Sequence, residues 1–295
     1  MASLKEVRNR ITSVSSTQQI TNAMKMVSAA KLRRAQDAIL RLRPYAEKLQ
    51  EILGNLSTSA ENAESGVYTA QREPKKVLMV VISSNRGLAG AFNANVMKEA
   101  RKIVNTRYAS QLAEGNVSWM SIGKKSGDII TKSQFNLLSS HNELFDGLSF
   151  EKVSLLAQRI MDGFVAKEFD RVEIVYNRFK NAAVQILTTE QFLPVPPPVA
   201  SSEGTKSQSF DYIFEPDQQT IVEELIPKSL KTQLYKAILD SFAAEHGARM
   251  TAMNKATDNA RELLKELRLT YNKARQASIT NEILEIVGGA EALNG

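Results

Sequence analysis

The sequence contains no cysteine and only two histidines, His141 and His246, in 295 residues. Disulfides, thiolate nucleophiles and cysteine-based metal sites are therefore excluded, and two histidines in distant regions make no ligand cluster. Aromatic residues amount to 6%, with a single tryptophan, so there is little bulk for a wide core. Long hydrophobic runs are missing too. The longest clean one, VLMVVI at 77–82, is far too short to cross a bilayer. The opening MASLKEVRNR has no apolar core of a signal peptide and leads straight into helical sequence. Neither a removable leader nor a membrane span is expected, and any membrane association is peripheral.

Glycine and proline are absent from residues 4–43, and Gly247 is the one breaker in 228–287. Apolar residues recur at heptad-like steps in both stretches. Near the start they are Leu4, Val7, Ile11, Val14, Ile20, Met24 and Val27; near the end, Ala260, Leu263, Leu267, Tyr271 and Ala274. A stripe with a period just under 3.6 suits a left-handed two-stranded coiled coil. Two long helices separated by an insert can meet as an antiparallel pair. The expected first helix runs over 4–56 with a bend at Pro44, some fifty residues or about 75–80 Å long. The last opens after Pro227.

Between them the pattern changes. Residues 57–76 are polar and read as a linker. A buried-strand run at 77–84 feeds a helix at 93–108, followed by a strand at 117–122, a short helix at 126–132 and an amphipathic helix at 150–167. Strands at 171–179 and 184–193 form a hairpin. The fold class is thus α/β with a long antiparallel coiled coil: the terminal helices form a shaft, and a Rossmann-like mixed sheet with helices forms a globular foot. The expected domains are 1–58 (shaft helix), 59–226 (globular α/β) and 227–295 (shaft helix). The Pro/Ser-rich VPPPVASSEGTKSQS, 195–209, reads as loose or extended chain.

Two loops resemble phosphate binders and fail on spacing. SSNRGLAG after the first strand places Gly87 and Gly90 outside a G-x-G-x-x-G pattern, and IGKKSG at 122–127 lacks the first P-loop glycine and the Mg²⁺-binding hydroxyl. Both read as structural turns, and neither histidine belongs to a catalytic set. The net charge of +6 points to an acidic partner. Lys31, Arg33 and Arg34, continued by Arg41 and Arg43, form a cationic collar suited to acidic protein loops, with few of the aromatic or amide readers that nucleic-acid binding adds.

The stretch STQQITNAMKMVSAAK, 16–31, is crowded with small and hydroxylated residues, and ARMTAMNKATDNA, 248–260, repeats that chemistry. Such surfaces suit sliding. A well-fitted contact of about 800 Å² would be worth about 20 kcal/mol, and breaking it in one step would take place at about 0.01 per second. A moving shaft therefore needs small, mixed side chains.

The run ITNEILEIVGGAEA, 279–292, carries Ile279, Thr280, Glu282, Glu285, Gly289, Ala290 and Ala292. It resembles the signature of the γ subunit of F-type ATP synthases. YNKARQAS (271–278), ITNAMKMVSAAKLRRAQ, SSNRGLAGAFN and YIFEPD resemble the same family, so the likeness covers the whole chain in order. It implies a rotor shaft inside a hexamer of α and β subunits, with a foot on the membrane rotor ring of c subunits and against ε, one copy per complex. Proton flow would turn the ring and shaft and drive each β site through its states for ATP synthesis, with hydrolysis as the reverse. It implies no catalytic residue, cofactor or metal in this chain. Met24 and Lys25 match the position near the acidic β-subunit loop, where an added cation would impair coupling. Arg275, Gln276, Thr280 and Glu282 match polar contacts with the β catch region. Lys31, Arg33 and Arg34 would meet acidic lever loops of β, and Tyr212 and Glu215 would face the ring. Photosynthetic relatives carry a cysteine-bearing regulatory insertion that is missing here, so thiol control is not expected; the expected lack of a transit sequence favours a bacterial enzyme on the cytoplasmic face of the inner membrane over a processed mitochondrial chain. The alternatives are a nucleotide-binding α/β enzyme and a basic coiled-coil scaffold for nucleic acid.

Overall fold

The computed structural model describes residues 4–59, 67–196 and 218–294. The elements in order are α1 (Leu4–Ser59), β1 (Val77–Ile82), α2 (Phe92–Arg107), α3 (Ala109–Ala113), β2 (Val117–Ile122), α4 (Lys124–Lys132), β3 (Leu137–Ser140), α5 (Phe150–Val165), β4 (Arg171–Phe179), β5 (Gln185–Leu193) and α6 (Gln218–Asn294). The chain divides into two compact units, one of residues 1–29 with 249–295, the other of 30–248.

The second unit is built on a five-stranded sheet in the order β3-β2-β1-β4-β5. The first four strands are parallel, and β5 returns antiparallel to β4. This is the expected mixed sheet with an antiparallel edge. β1 is central and wholly apolar, and it is covered on both faces. Leu78, Val80 and Ile82 pack with Ile160 and Phe164 of α5 and with Leu230, Leu234 and Ile238 of α6. Val77, Met79 and Val81 pack the other way, with Met97, Ile103 and Val104 of α2 and Ile130 of α4. Burial on both faces is why this strand shows an unbroken apolar run instead of alternation.

Three expectations need correction. The linker does not begin at 57, because α1 continues to Ser59. α6 opens at Gln218, not after Pro227, and Pro227 lies inside it. An interior proline forfeits one ladder hydrogen bond, yet Ile226, Leu230 and Leu234 on both sides of it are buried in the sheet core and hold the helix through. The third strand, β3, was invisible in LLSS because four residues of mixed polarity carry no usable period. Gly247, the apparent breaker, is a packing device: a Cβ there would stand 3.2 Å from Cα of Ala182 in the β4–β5 turn. Most of the 195–209 loop and all of YIFEPD lie outside the described residues.

Candidate functional site

In the unit formed by 1–29 and 249–295, α1 and α6 run antiparallel. Arg8 donates to the Tyr271 hydroxyl (2.8 Å), Thr257 donates to Thr21 (2.8 Å), and Lys25 donates to Asn254 (2.6 Å). Each pair sums to 278 or 279, so one register holds along the unit. On α1 the seam runs through Val7, Ile11, Val14, Gln18, Thr21, Lys25 and Ser28, all buried or half-buried and spaced in alternating steps of four and three, with Leu4, Ser15, Met24 and Ala29 half-buried beside them. The expected stripe is right through Val14 and then slips. Ile20 and Val27 are 60% and 57% exposed, while Thr21 and Ser28 are buried. On α6 the seam uses Met253, Thr257, Ala260, Leu264 and Leu267, so Leu264 replaces the expected Leu263.

The centre of this seam is polar. Thr21 donates to the Gln18 carbonyl (3.0 Å) and Ser28 to the Met24 carbonyl (2.8 Å), while the single Thr257 proton is shared between Thr21 and the Met253 carbonyl (2.8 Å). These hydroxyls are satisfied, so burial costs little, and at the centre only the flexible Met253 and the half-buried Met24 supply large apolar bulk. Threonine and serine fill the places where a strong coiled coil carries leucine.

Extending the same register puts Leu4, where α1 begins, level with Arg275. Beyond that point α6 continues for about 28 Å, and every residue of 275–290 is exposed. Ile279, Ile283, Leu284, Ile286 and Val287 are 43–72% exposed. A lone helix of this length is marginal in water, and an apolar surface of this kind calls for an enclosing partner.

In the other unit, the two glycine-bearing loops are closed on themselves. The first amides of α4 are all taken: Lys124 by Asn85 Oδ1 (3.0 Å), Lys125 by the Ser84 carbonyl (3.1 Å) and Ser126 by Ser83 Oγ (2.8 Å). The Ser84 amide donates to Asn93 Oδ1 (3.0 Å). Open α/β sheets bind ligands beyond the carboxyl ends of their strands, where the strand order reverses. Here Ala89 and Phe92 pack with Phe179, Ala244 and Ala248 at that end. The loops are structural turns, as their spacing indicates. His141 is held by Ser139 (3.1 Å) and Glu143 (3.3 Å), and His246 lies edge-on to Phe242.

A family model described as "ATP synthase" matches residues 3–293. The "ATP synthase gamma chain" of Flavobacterium johnsoniae is 61% identical over 295 residues, covering all of both chains. This chain belongs to the ATP synthase gamma chain family. The Cytophaga hutchinsonii member is 55% identical over 294 residues, again end to end. Among solved structures, a chain of the Euglena gracilis mitochondrial ATP synthase (OSCP/F1/c-ring) aligns with a TM-score of 0.67 at 22% identity, covering 98% of this chain and 94% of that one. A chain of the Tetrahymena thermophila mitochondrial ATP synthase central stalk/c-ring gives 0.57 at 24%, covering 80% and 99%. These distant structures show that the fold is shared. No helix among the described residues is long and apolar enough to cross a membrane. The rotor-shaft role of the family gains support from these likenesses, and the enzyme and nucleic-acid alternatives gain none.

Against that family background the candidate residues fall into four groups. Met24 and Lys25 are half-buried in the polar seam, where Lys25 already has Asn254 as acceptor. Lys31, Arg33 and Arg34 are exposed on α1. Arg275, Gln276, Thr280 and Glu282 are exposed on the single-helix tip, and Thr280 donates to the Gln276 carbonyl (2.9 Å). Tyr212 and Glu215 lie outside the described residues. The spacing did not reveal that Gln18, Thr21 and Ser28 belong to the seam, because a hydropathy pattern passes over hydroxyl and amide side chains.

One buried carboxylate was also missed. Asp240 on α6 is 6% exposed, and its pKa is pushed up to about 6, chiefly by burial; Glu190 acts the same way, while Lys236, Arg178 and Arg43 oppose it. A carboxyl raised above its unfolded value of about 3.9 stabilises the fold at pH below that value, and the benefit is lost as pH rises through 6. Asp240→Asn is therefore expected to raise the unfolding free energy at pH 8 by about 1–2 kcal/mol and to flatten its pH dependence between about 4 and 7. Urea unfolding at both ends of that range checks this; a variant no more stable than the parent at pH 8 contradicts it.

Proposed function

We propose that the chain is the central rotor shaft of a proton-translocating F-type ATP synthase and has no catalytic residue of its own. Rotation of a membrane ring of c subunits turns the shaft, and its asymmetry drives the β-subunit sites of an α/β hexamer in sequence; hydrolysis runs the same cycle backwards. One copy serves each complex, and ε sits against it. The complex is peripheral in this sector and lies on the cytoplasmic face of a bacterial inner membrane. In this reading residues 1–58 and 227–295 are the shaft helices and 59–226 the foot.

The observation that carries the reading is the contrast within one unit between a polar-centred two-helix seam and an apolar, wholly exposed tip. A shaft must be stiff enough to transmit torque and must meet its sleeve through side chains that do not lock. Met24 and Lys25 serve near the acidic β loop, Arg275, Gln276, Thr280 and Glu282 serve at the β catch region, and Tyr212 and Glu215 face the ring. Affinity purification from the native host tests the assignment: the α, β and ε subunits are expected to accompany the chain, and their absence refutes it.

Lys31, Arg33 and Arg34 are assigned to acidic lever loops of β. Reversing all three charges is expected to slow ATP turnover of the assembled complex severalfold, while chain stability changes by no more than about 0.5 kcal/mol, since the sites are exposed. Turnover at the parental rate would leave them as solvated surface.

A further inference from the structure

The outer face of α2 carries a cationic groove. Ala94, Met97, Lys98, Arg101, Lys102 and Asn105 follow one another at steps of three, one, three, one and three, so all six lie on a single stripe about three turns long. With Ile129 of α4 opposite, they line an open cavity of about 440 Å³. Its floor is apolar: Met97 is buried, and Ile129 packs against the sheet core. Its walls carry three cations, and Glu99 stands 3.7 Å from Lys102 at the rim.

Arg101 is the fixed member. Its guanidinium lies over the Phe135 ring, 5.5 Å from the centroid, and donates through one arm to Ser133, while its Nε is buried with no acceptor among the described residues. The residue is half-buried, so the guanidinium keeps its charge in a partly desolvated place and favours a carboxylate offered from the groove side. Lys98 and Lys102 stand one turn apart on the same stripe, which suits a second and third acidic group.

We propose that this groove docks an acidic amphipathic helix of another protein subunit, apolar residues on Met97 and Ile129, carboxylates on Arg101, Lys98 and Lys102. A groove that follows one helical stripe and combines an apolar floor with cationic walls matches a helix whose anchors recur at i, i+3, i+4 and i+7. The charge pattern selects acidic partners and repels basic ones. The proposal draws on the function above only in placing the chain within an assembly.

Amine acetylation followed by mass spectrometry, on native membranes and on the purified full chain, measures access to the two lysines. Lys98 and Lys102 are expected to react about tenfold more slowly in membranes, a protection equivalent to about 1.4 kcal/mol. Zero-length carbodiimide coupling is expected to join them to carboxylates spaced three or four residues apart in one segment of another polypeptide. The Lys98→Glu/Lys102→Glu variant, altered only at exposed positions, is expected to keep the parental circular dichroism spectrum and to lose Arg101-dependent retention of that polypeptide. Equal labelling in both preparations overturns the proposal, as does protection with no protein carboxylate joined, the result a lipid cover would give. The two readings fail separately. A cross-linked helix recovered from a chain that no ATPase subunit accompanies upholds the groove and refutes the rotor assignment. Freely reactive lysines in a chain that co-purifies with ATPase subunits do the reverse.

Discussion

Removing residues 280–295 is expected to leave the rest of the chain folded while proton pumping per ATP hydrolysed falls severalfold. The stability half follows from exposure: residues 275–290 bury nothing within the chain, so their loss changes the unfolding free energy by no more than about 0.5 kcal/mol. The functional half follows from Ile279, Ile283, Ile286 and Val287, which are 43–72% exposed on a helix that has outrun its α1 partner. Such a surface is retained for an external contact, and a shaft deprived of its end contact transmits torque poorly. Thermal unfolding of the truncated chain, together with pumping and hydrolysis assays on vesicles carrying the assembled complex, gives both numbers. Intact coupling would show that the tip is dispensable, and a large loss of stability would show that it packs within the chain.

Gly123→Ala is expected to cost about 3 kcal/mol or more, among the largest single-site effects in this molecule. Gly123 caps α4 at φ 103° and ψ 144°, a conformation closed to residues with a side chain. A Cβ there would stand 2.3 Å from the Ser83 carbonyl oxygen. Relief would mean moving β1 away from the β2–α4 turn. That turn is tied to β1 by a buried hydroxyl cluster in which Ser126 meets Ser83 at 2.7 Å and Ser121 at 2.8 Å. Gly90→Ala is the control. Gly90 has φ 61° with nothing within 4 Å of a built Cβ, so its replacement is expected to cost only about 1 kcal/mol. Urea unfolding of both variants separates the cases, and equal losses would mean that the Ser83 contact relaxes freely.

The sheet was legible in sequence because its strands are either fully apolar, as in β1, or alternate cleanly, as in β4. Its antiparallel edge followed from the short turn between two such runs. β3 was not legible, since four residues cannot establish a period. The two long helices were legible from the absence of breakers, but their contact seam only in part. Val7, Ile11 and Val14 announce it; from Gln18 to Ser28 the seam is hydroxyl, amide and ammonium beside a half-buried Met24, and nearby apolar residues such as Ile20 and Val27 drew the stripe one position off. A buried threonine looks like a surface threonine until its partner helix is known. Asp240 escaped for a similar reason, because its burial arises from packing of α6 on the sheet. The candidate partner residues came from resemblance: Lys31, Arg33, Arg34 and the four on the tip are exposed, Met24 and Lys25 are half-buried, and Tyr212 and Glu215 lie outside the described residues.

The absence of native cysteine offers a direct measurement of the mechanical role. A single cysteine introduced at the exposed Ala113 of α3, away from the α2 groove, provides the only thiol on this chain for attaching a bead, with the α/β hexamer fixed to glass. On adding ATP, the bead is expected to turn continuously in one direction, pausing once for each β site in a revolution. A bead that stays fixed while the same complexes hydrolyse ATP would mean that this chain does not rotate with catalysis, and the shaft assignment would fall.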